Sequence, residues 1–319
     1  MKKLFTLVLL GLVFLLFSTS MAFSWGSATH AYIADHIGKF LPLMNANEMY
    51  GIMAPDIFNY VFTLNSDQMA VIQLYTHGRP GEEGFMKVWR EASWWGYQKS
   101  LAYGYVAHND VWGIDYTAHW ASRTLNPAEG YIITKAKELL LFSIPINGSN
   151  IPFSVILSQA GLTDPSAQLE LAHNLVETAG DIILAQADRL IGEKMIGAAL
   201  ARSNDFPDLL VRVMGAGWRN MIYAAEKEFR KSMILYGGAL IQSQETAIKN
   251  MSDQMAQLGV EYVKAITHGQ VIIPLDKAKQ LAEAGIRASV MICAGDYMKE
   301  VGATIEFVKN NLTNKLGWY

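Results

Sequence analysis

The chain has 319 residues, of which 51% are hydrophobic and 17% charged, with a formal charge of −3. That composition excludes general disorder, and the length allows one large domain or two smaller ones with a substantial core. The single cysteine, Cys293, excludes an internal disulfide and a thiolate metal site, so any metal must be held by nitrogen and oxygen.

Lys2 and Lys3 are followed by an apolar run from Leu4 to Phe17 and then by STSMAFS, with small residues at Ala22 and Ser24. This is the pattern of a signal peptide over residues 1–24. The run is shorter than the roughly 20 residues a membrane span needs. The expectation is an exported protein, secreted or periplasmic, with no transmembrane anchor after processing and with Trp25 as its first residue. Its formal charge would be −5, since two lysines leave.

Helical apolar spacing then recurs along the chain: residues 29–41, 66–78, 130–142, 165–191, 206–235 and 277–311. Pro, Gly and Asn clusters at 126–130, 146–153 and 162–166 punctuate it, and period-two alternation is confined to short runs such as GQVIIPL. The reading is all-α. A boundary at SNDFPD, residues 203–208, separates a histidine-bearing part, 25–208, from a helical C-terminal extension, 209–319, in which His268 stands alone.

The stretch HNDVWGIDYTAHW, His108 to Trp120, concentrates two of the seven histidines with Asp110 and Asp115. On one continuous helix His108, Asp115 and His119 would lie within about 40° of each other, with Asp110 roughly opposite. The rise would still put His108 about 10.5 Å from Asp115, too far to share an ion with bonds near 2 Å. Either the helix is distorted near Gly113 or different ions are bound. In LAHNLVET, His173 and Glu177 stand at i and i+4, so both can reach one metal, with Asp181 one turn on as an outer partner. His30, Asp56 and His77 each have an ordinary alternative: a half-buried histidine, a turn residue after Pro55, and a helix C-terminal charge before Gly78. His36 falls on another face from His30.

Residues 25 to about 180 resemble the zinc-dependent phospholipase C group, including the phospholipase C/D domain, and the related S1/P1-type nucleases. The resemblance rests on the Trp25 start, on Ala54-Pro55-Asp56, on AYGYVAH through TAH (102–119), and on HNLVE (173–177). It implies a multi-helix bundle around three zinc ions. The ligands it implies are Trp25 through its terminal amine and carbonyl, His30, Asp56, His77, His108, Asp115, His119, His173 and Glu177, with Asp115 as the bridging carboxylate. Two departures stand out. The family spaces its first helix histidine and bridging aspartate four apart, whereas His108 and Asp115 are seven apart, which leaves Asp110 a rival bridge. The Trp-Gly start with His30 five residues on is nuclease-like, while the closing His-x-x-x-Glu has the phospholipase form.

Three divalent ions against Asp56, Asp115 and Glu177 would leave about three positive charges to hold a phosphodiester, and zinc would bring a water's pKa toward about 7. Asp56, at the cluster edge, could orient that water as a catalytic residue as well as a ligand. The expected function is phosphodiester hydrolysis, with phospholipid head groups the first substrate class. A nuclease or nucleotidase on the same scaffold is the first alternative and a non-catalytic helical envelope protein the second. Trp89, Trp94, Trp95 and Tyr97 form either an aromatic lip for peripheral membrane contact or part of the core, and equally could stack on a base. No Lys/Arg run tracks a nucleic-acid backbone, and GxGxxG, GxSxG and CxxC patterns are missing.

Overall fold

The computed structural model describes residues 25–317 except 39, 41, 62–63, 95, 147–148 and 267–273. The leader expected over 1–24, His268, Trp95 and most of GQVIIPL lie outside the described residues. The all-α expectation holds: fifteen α-helices and one two-stranded hairpin occupy the rest. In chain order these are α1 (Ser27–Ile37), α2 (Pro42–Met53), a 3-10 turn (Ala54–Tyr60), α3 (Ser66–Thr76), α4 (Met86–Glu91), α5 (Tyr97–His108), α6 (Ile114–His119) and α7 (Tyr131–Leu141). After them come β1 (Ser143–Ile146), β2 (Ser149–Pro152), α8 (Phe153–Gln159), α9 (Pro165–Ala187), α10 (Ile191–Ala201) and α11 (Phe206–Met214). A short 3-10 turn leads into α12 (Arg219–Leu240), α13 (Gln244–Ile266), α14 (Leu275–Cys293) and α15 (Tyr297–Leu316). None of the described helices is long and apolar enough to cross a membrane.

Local chemistry sets the ends of the helices that carry the site. Asp164 caps α9 by accepting from Ala167 N at 2.8 Å, with Pro165 in the first turn. Asn65 and Gln68 form a reciprocal capping box at the start of α3, which ends just before His77. The α2–α5 pair crosses backbone to backbone: a Cβ on Gly104 would lie 2.0 Å from the Glu48 carbonyl oxygen. Only glycine allows that approach, and it brings Ile52 O within 2.8 Å of His108 Nδ1.

The hairpin pairs Ser143 with Pro152 and Ile146 with Ser149, where the sequence reads only as punctuation. The apolar segments 206–235 and 277–311 are each divided, at Gly215 and at Ala294–Asp296. α9 lies at the centre, packed against α1, α7, α14 and α15. The C-terminal α15 reaches back to the histidine-bearing part. Thr304 Oγ1 donates to Thr117 Oγ1 at 3.0 Å, Asn311 Nδ2 donates to Trp112 O at 2.9 Å, and the buried Glu300 carboxylate accepts from Arg123 N and Thr124 N.

Candidate metal centre

The segment between His108 and Asp115 is not one helix. α5 ends at His108 and α6 begins at Ile114. Between them Asn109 Oδ1 accepts from three amides, those of Val111, Trp112 and Gly113, at 2.8 to 3.1 Å. One side-chain oxygen thus folds the loop back on itself. The seven-residue separation is erased: Asp115 Oδ2 stands 2.8 Å from His108 Nε2. Of the two arrangements left open by the spacing, distortion near Gly113 is the one the chain adopts.

Asp115 is wholly buried and faces two ways. Its Oδ1 lies 3.1 Å from His30 Nε2, while Oδ2 lies 2.8 Å from His108 Nε2 and 3.5 Å from His77 Nε2. Asp56, at the edge in the 3-10 turn, puts Oδ1 3.5 Å from His77 Nε2 and 3.7 Å from His108 Nε2, and accepts from Asn59 Nδ2. The two histidine Nε2 atoms are themselves 3.1 Å apart. A tetrahedral ion with bonds near 2 Å spaces its ligands about 3.3 Å apart, and these separations scatter around that value.

The imidazoles are turned for this by their other nitrogens. His30 Nδ1 donates to Gly26 O at 3.0 Å and His108 Nδ1 to Ile52 O at 2.8 Å. Thr76 Oγ1, whose own proton goes to Ile72 O, accepts from His77 Nδ1 at 2.7 Å. His119 Nδ1 donates to Asp110 Oδ1 at 2.7 Å. In each ring the Nδ1 proton is committed outward, so Nε2 presents its lone pair inward. Nitrogen lone pairs and carboxylate oxygens facing one another at 3 Å repel unless a cation or proton lies among them. The side chains alone answer with protons. Burial works against charge on His30 and His77, but Asp115 acting on His30, and Asp56, Asp110 and Asp115 acting on His77, outweigh it and raise both. Burial likewise opposes the Asp115 charge, yet His108 and His30 hold its carboxyl well below the usual range.

A second set faces the first. His119, His173 and Glu177 bring one ligand atom each within 4.8 Å of the others. His173 Nε2 and Glu177 Oε1 are 2.8 Å apart on α9, but neither makes a hydrogen bond, and both atoms are buried. Two polar atoms placed side by side and not aimed at each other suit a third body between them. Here charge is not balanced. Burial, then the neighbouring Asp56 and Glu170 carboxylates, push the Glu177 carboxyl well up, and burial with His119 pushes His173 well down. Burial also raises Glu170 to about 7. Neutral imidazole is the form that ligates metal, and a carboxylate starved of positive charge is the partner that gains most from one.

The chain therefore brings His30, Asp56, His77, His108, Asp115, His119, His173 and Glu177 into two adjoining sets. Trp25 is tied to the same place through its indole, whose Nε1 donates to Ile114 O and to Thr117 Oγ1, both at 3.0 Å, in the helix that carries Asp115 and His119. Its ring stacks on Tyr131 at 5.5 Å and meets Tyr297 edge-on. Asp110 sits behind His119, and its Oδ2 accepts from Gln73 Nε2 at 3.3 Å. Asp181 does not serve His173 or Glu177 as the spacing suggests: its oxygens accept from Ala28 N, Thr29 N, Thr29 Oγ1 and Tyr236 OH, capping α1 next to Trp25. His36 is exposed and bonds to Tyr32 O. Trp89 is core, under the Lys99 ammonium at 3.7 Å, while Trp94 and Tyr97 are 64% and 52% exposed.

Sequence reasoning missed Asn109, Thr76 and Glu170. The first two act through single loop or backbone contacts that leave no periodic trace. Glu170, three residues before His173 on the same face, was open to detection by extending the His173–Glu177 stripe one turn back. Compared with protein-family models, with curated proteins and with solved structures, the chain has no match.

Proposed function

We propose that the processed chain is an exported zinc-dependent phosphodiesterase that hydrolyses phospholipid head groups in the manner of a phospholipase C. The observation that carries this reading is the common orientation of four imidazoles. His30, His77, His108 and His119 each hand Nδ1 to an outer acceptor and turn Nε2 toward Asp56, Asp115 or the His173–Glu177 pair. All-nitrogen-and-oxygen donors at near-tetrahedral spacing fit zinc. Asp115, with an oxygen toward each neighbouring group of histidines, would bridge two of three ions. The Trp25 main chain would complete the set beside His30. Zinc bound there supplies Lewis acidity toward phosphoryl oxygens and an activated water at neutral pH. The chain's own part is to orient and to exclude. Asp56, at the edge of the set, is placed to hold and accept a proton from the attacking water, and the buried walls around Asp115 keep bulk solvent from competing.

The test is zinc stoichiometry of the purified protein together with hydrolysis of phosphatidylcholine emulsion and of single-stranded DNA, each with and without chelator. Two or more tightly held zincs and chelator-sensitive lipid hydrolysis are expected. DNA cleavage without lipid turnover would move the function to the nuclease alternative, and fewer than two metals would move it to a non-catalytic envelope protein.

A further inference from the structure

Four buried acceptor atoms without hydrogen-bond partners follow one another along a single face of α9: Glu170 Oε1, His173 Nε2, Asn174 Oδ1 and Glu177 Oε1. At 100° per residue their side chains share an arc of about 100°. His173 and Glu177 belong to the metal set. Glu170 and Asn174 do not: neither falls within a group of converging ligands, yet Glu170 lies near enough to His119 and Glu177 for their charges to act on one another. An acidic oxygen and an amide oxygen at i and i+4 thus form an acceptor pair at the edge of the centre. Both residues are half-buried, so each keeps part of its side chain open to solvent. No lysine or arginine among the described residues bonds to either side chain.

Leaving such oxygens without donors is costly, and a resident metal at the neighbouring set would not satisfy them. A group that brings only donors would. We propose that Glu170 and Asn174 form a subsite for the primary ammonium of an aminoalkyl phosphodiester. This rests on the phosphodiesterase reading and narrows its substrate class. The ammonium offers three N–H donors and no acceptor, matching the Asn174 amide oxygen and the Glu170 carboxylate, whose ionised form its positive charge favours. A quaternary ammonium offers none and is matched by aromatic faces. The scale also fits. Glu170 precedes His173 by three residues, about 4.5 Å along the helix axis, the reach of a short aminoalkyl arm from a phosphate held at the His173 set.

The probe is binding, which does not require turnover. Zinc-loaded protein is titrated calorimetrically with phosphoethanolamine, phosphocholine and inorganic phosphate. Phosphoethanolamine should bind about tenfold tighter than phosphate, the scale of one charge-assisted hydrogen bond, and several-fold tighter than phosphocholine. Glu170→Gln and Asn174→Ala should bring the phosphoethanolamine-to-phosphate ratio toward one, and Asn174→Asp should raise it. Equal affinities in the wild type, phosphocholine binding as tightly as phosphoethanolamine, or variants that weaken all three probes by one factor would each overturn the subsite. If the ratio behaves as stated while no phosphodiester is hydrolysed in the parallel assay, the hydrolase reading fails and the subsite stands.

Discussion

The His30–His77–His108 end of the centre and the His119–His173 end use the same residue types and stand in opposite electrostatic states. At the first, two carboxylates, Asp56 and Asp115, lie among three imidazoles and favour positive charge on His30 and His77, whose pKa values they raise. At the second, Glu177 and Glu170 are pushed up and His173 down chiefly by burial, and among the described residues no lysine or arginine pairs with them. At one end imidazoles and carboxylates offset one another's charge without any metal. The other is held in place by α9 against its own electrostatics, and only an added positive charge relieves it. Pre-organisation and demand for charge are thus divided between two groups joined through α6, which carries Asp115 of one and His119 of the other.

The largest effect should come from the hub of the balanced end. Asp115→Asn removes the charge that three imidazoles face, and activity should fall on the order of 10³-fold or more with loss of bound zinc, because a ligand lost exceeds the 10–100-fold of an outer partner. Asp110→Asn, which disturbs only the orientation of His119, should stay within about 10–100-fold. Hydrolysis rates with metal analysis on both variants check this. A larger loss in Asp110→Asn would reassign the bridge and dissolve the distinction between the two ends.

The next effect separates the ends by pH. Without metal, His30 and His77 have raised folded values, so their contribution is fully present below the ordinary histidine value of 6.5 and is lost as pH rises through the folded ones. Glu177 and Glu170 are also raised, Glu170 to about 7, so they too lose stability as pH climbs and they ionise unpaired. His173, lowered, works the other way, but alone. Chelated protein should therefore melt several degrees lower at about pH 8 than at about pH 6, whereas zinc-loaded protein should hold or rise, since metal binding releases protons. Glu177→Gln should flatten the chelated slope by removing its strongest contributor at the demanding end. Parallel slopes with and without zinc would count against the contrast.

How far this was legible in the sequence follows from what each residue depends on. His173 and Glu177 were readable because helical spacing alone places them together. His30, Asp56 and His77 could not be joined by periodicity; they come from three separate elements, and the resemblance supplied the link. The Asp115 problem was correctly posed as a distance conflict but not solvable, because its resolution is one asparagine oxygen collecting three amides, and such a loop has no period. α5 escaped notice for a different reason: Lys99 through His108 are all buried, so there is no polar face to reveal a helix. The hairpin over 143–152 has strands of four residues, too short for alternation to show.

The smallest effect concerns what fixes Trp25 beside the balanced end. Asp181 accepts from the first amides of α1, and a Cβ on Gly26 would lie 2.5 Å from its carboxyl group. Gly26→Ala must therefore displace either Asp181 from its cap or Trp25 from Ile114 O and Thr117 Oγ1. Overpacking of this kind costs about 1–3 kcal/mol, which thermal melting reads directly. Because Gly26 O also receives His30 Nδ1, the shift passes to the balanced end alone. The expected signature is weaker zinc retention at the site containing His30, with the His119–His173–Glu177 set still holding its ion. Equal loss from both would mean that α6, which carries both Asp115 and His119, transmits the strain, and the two ends would then have to be treated as one cooperative unit.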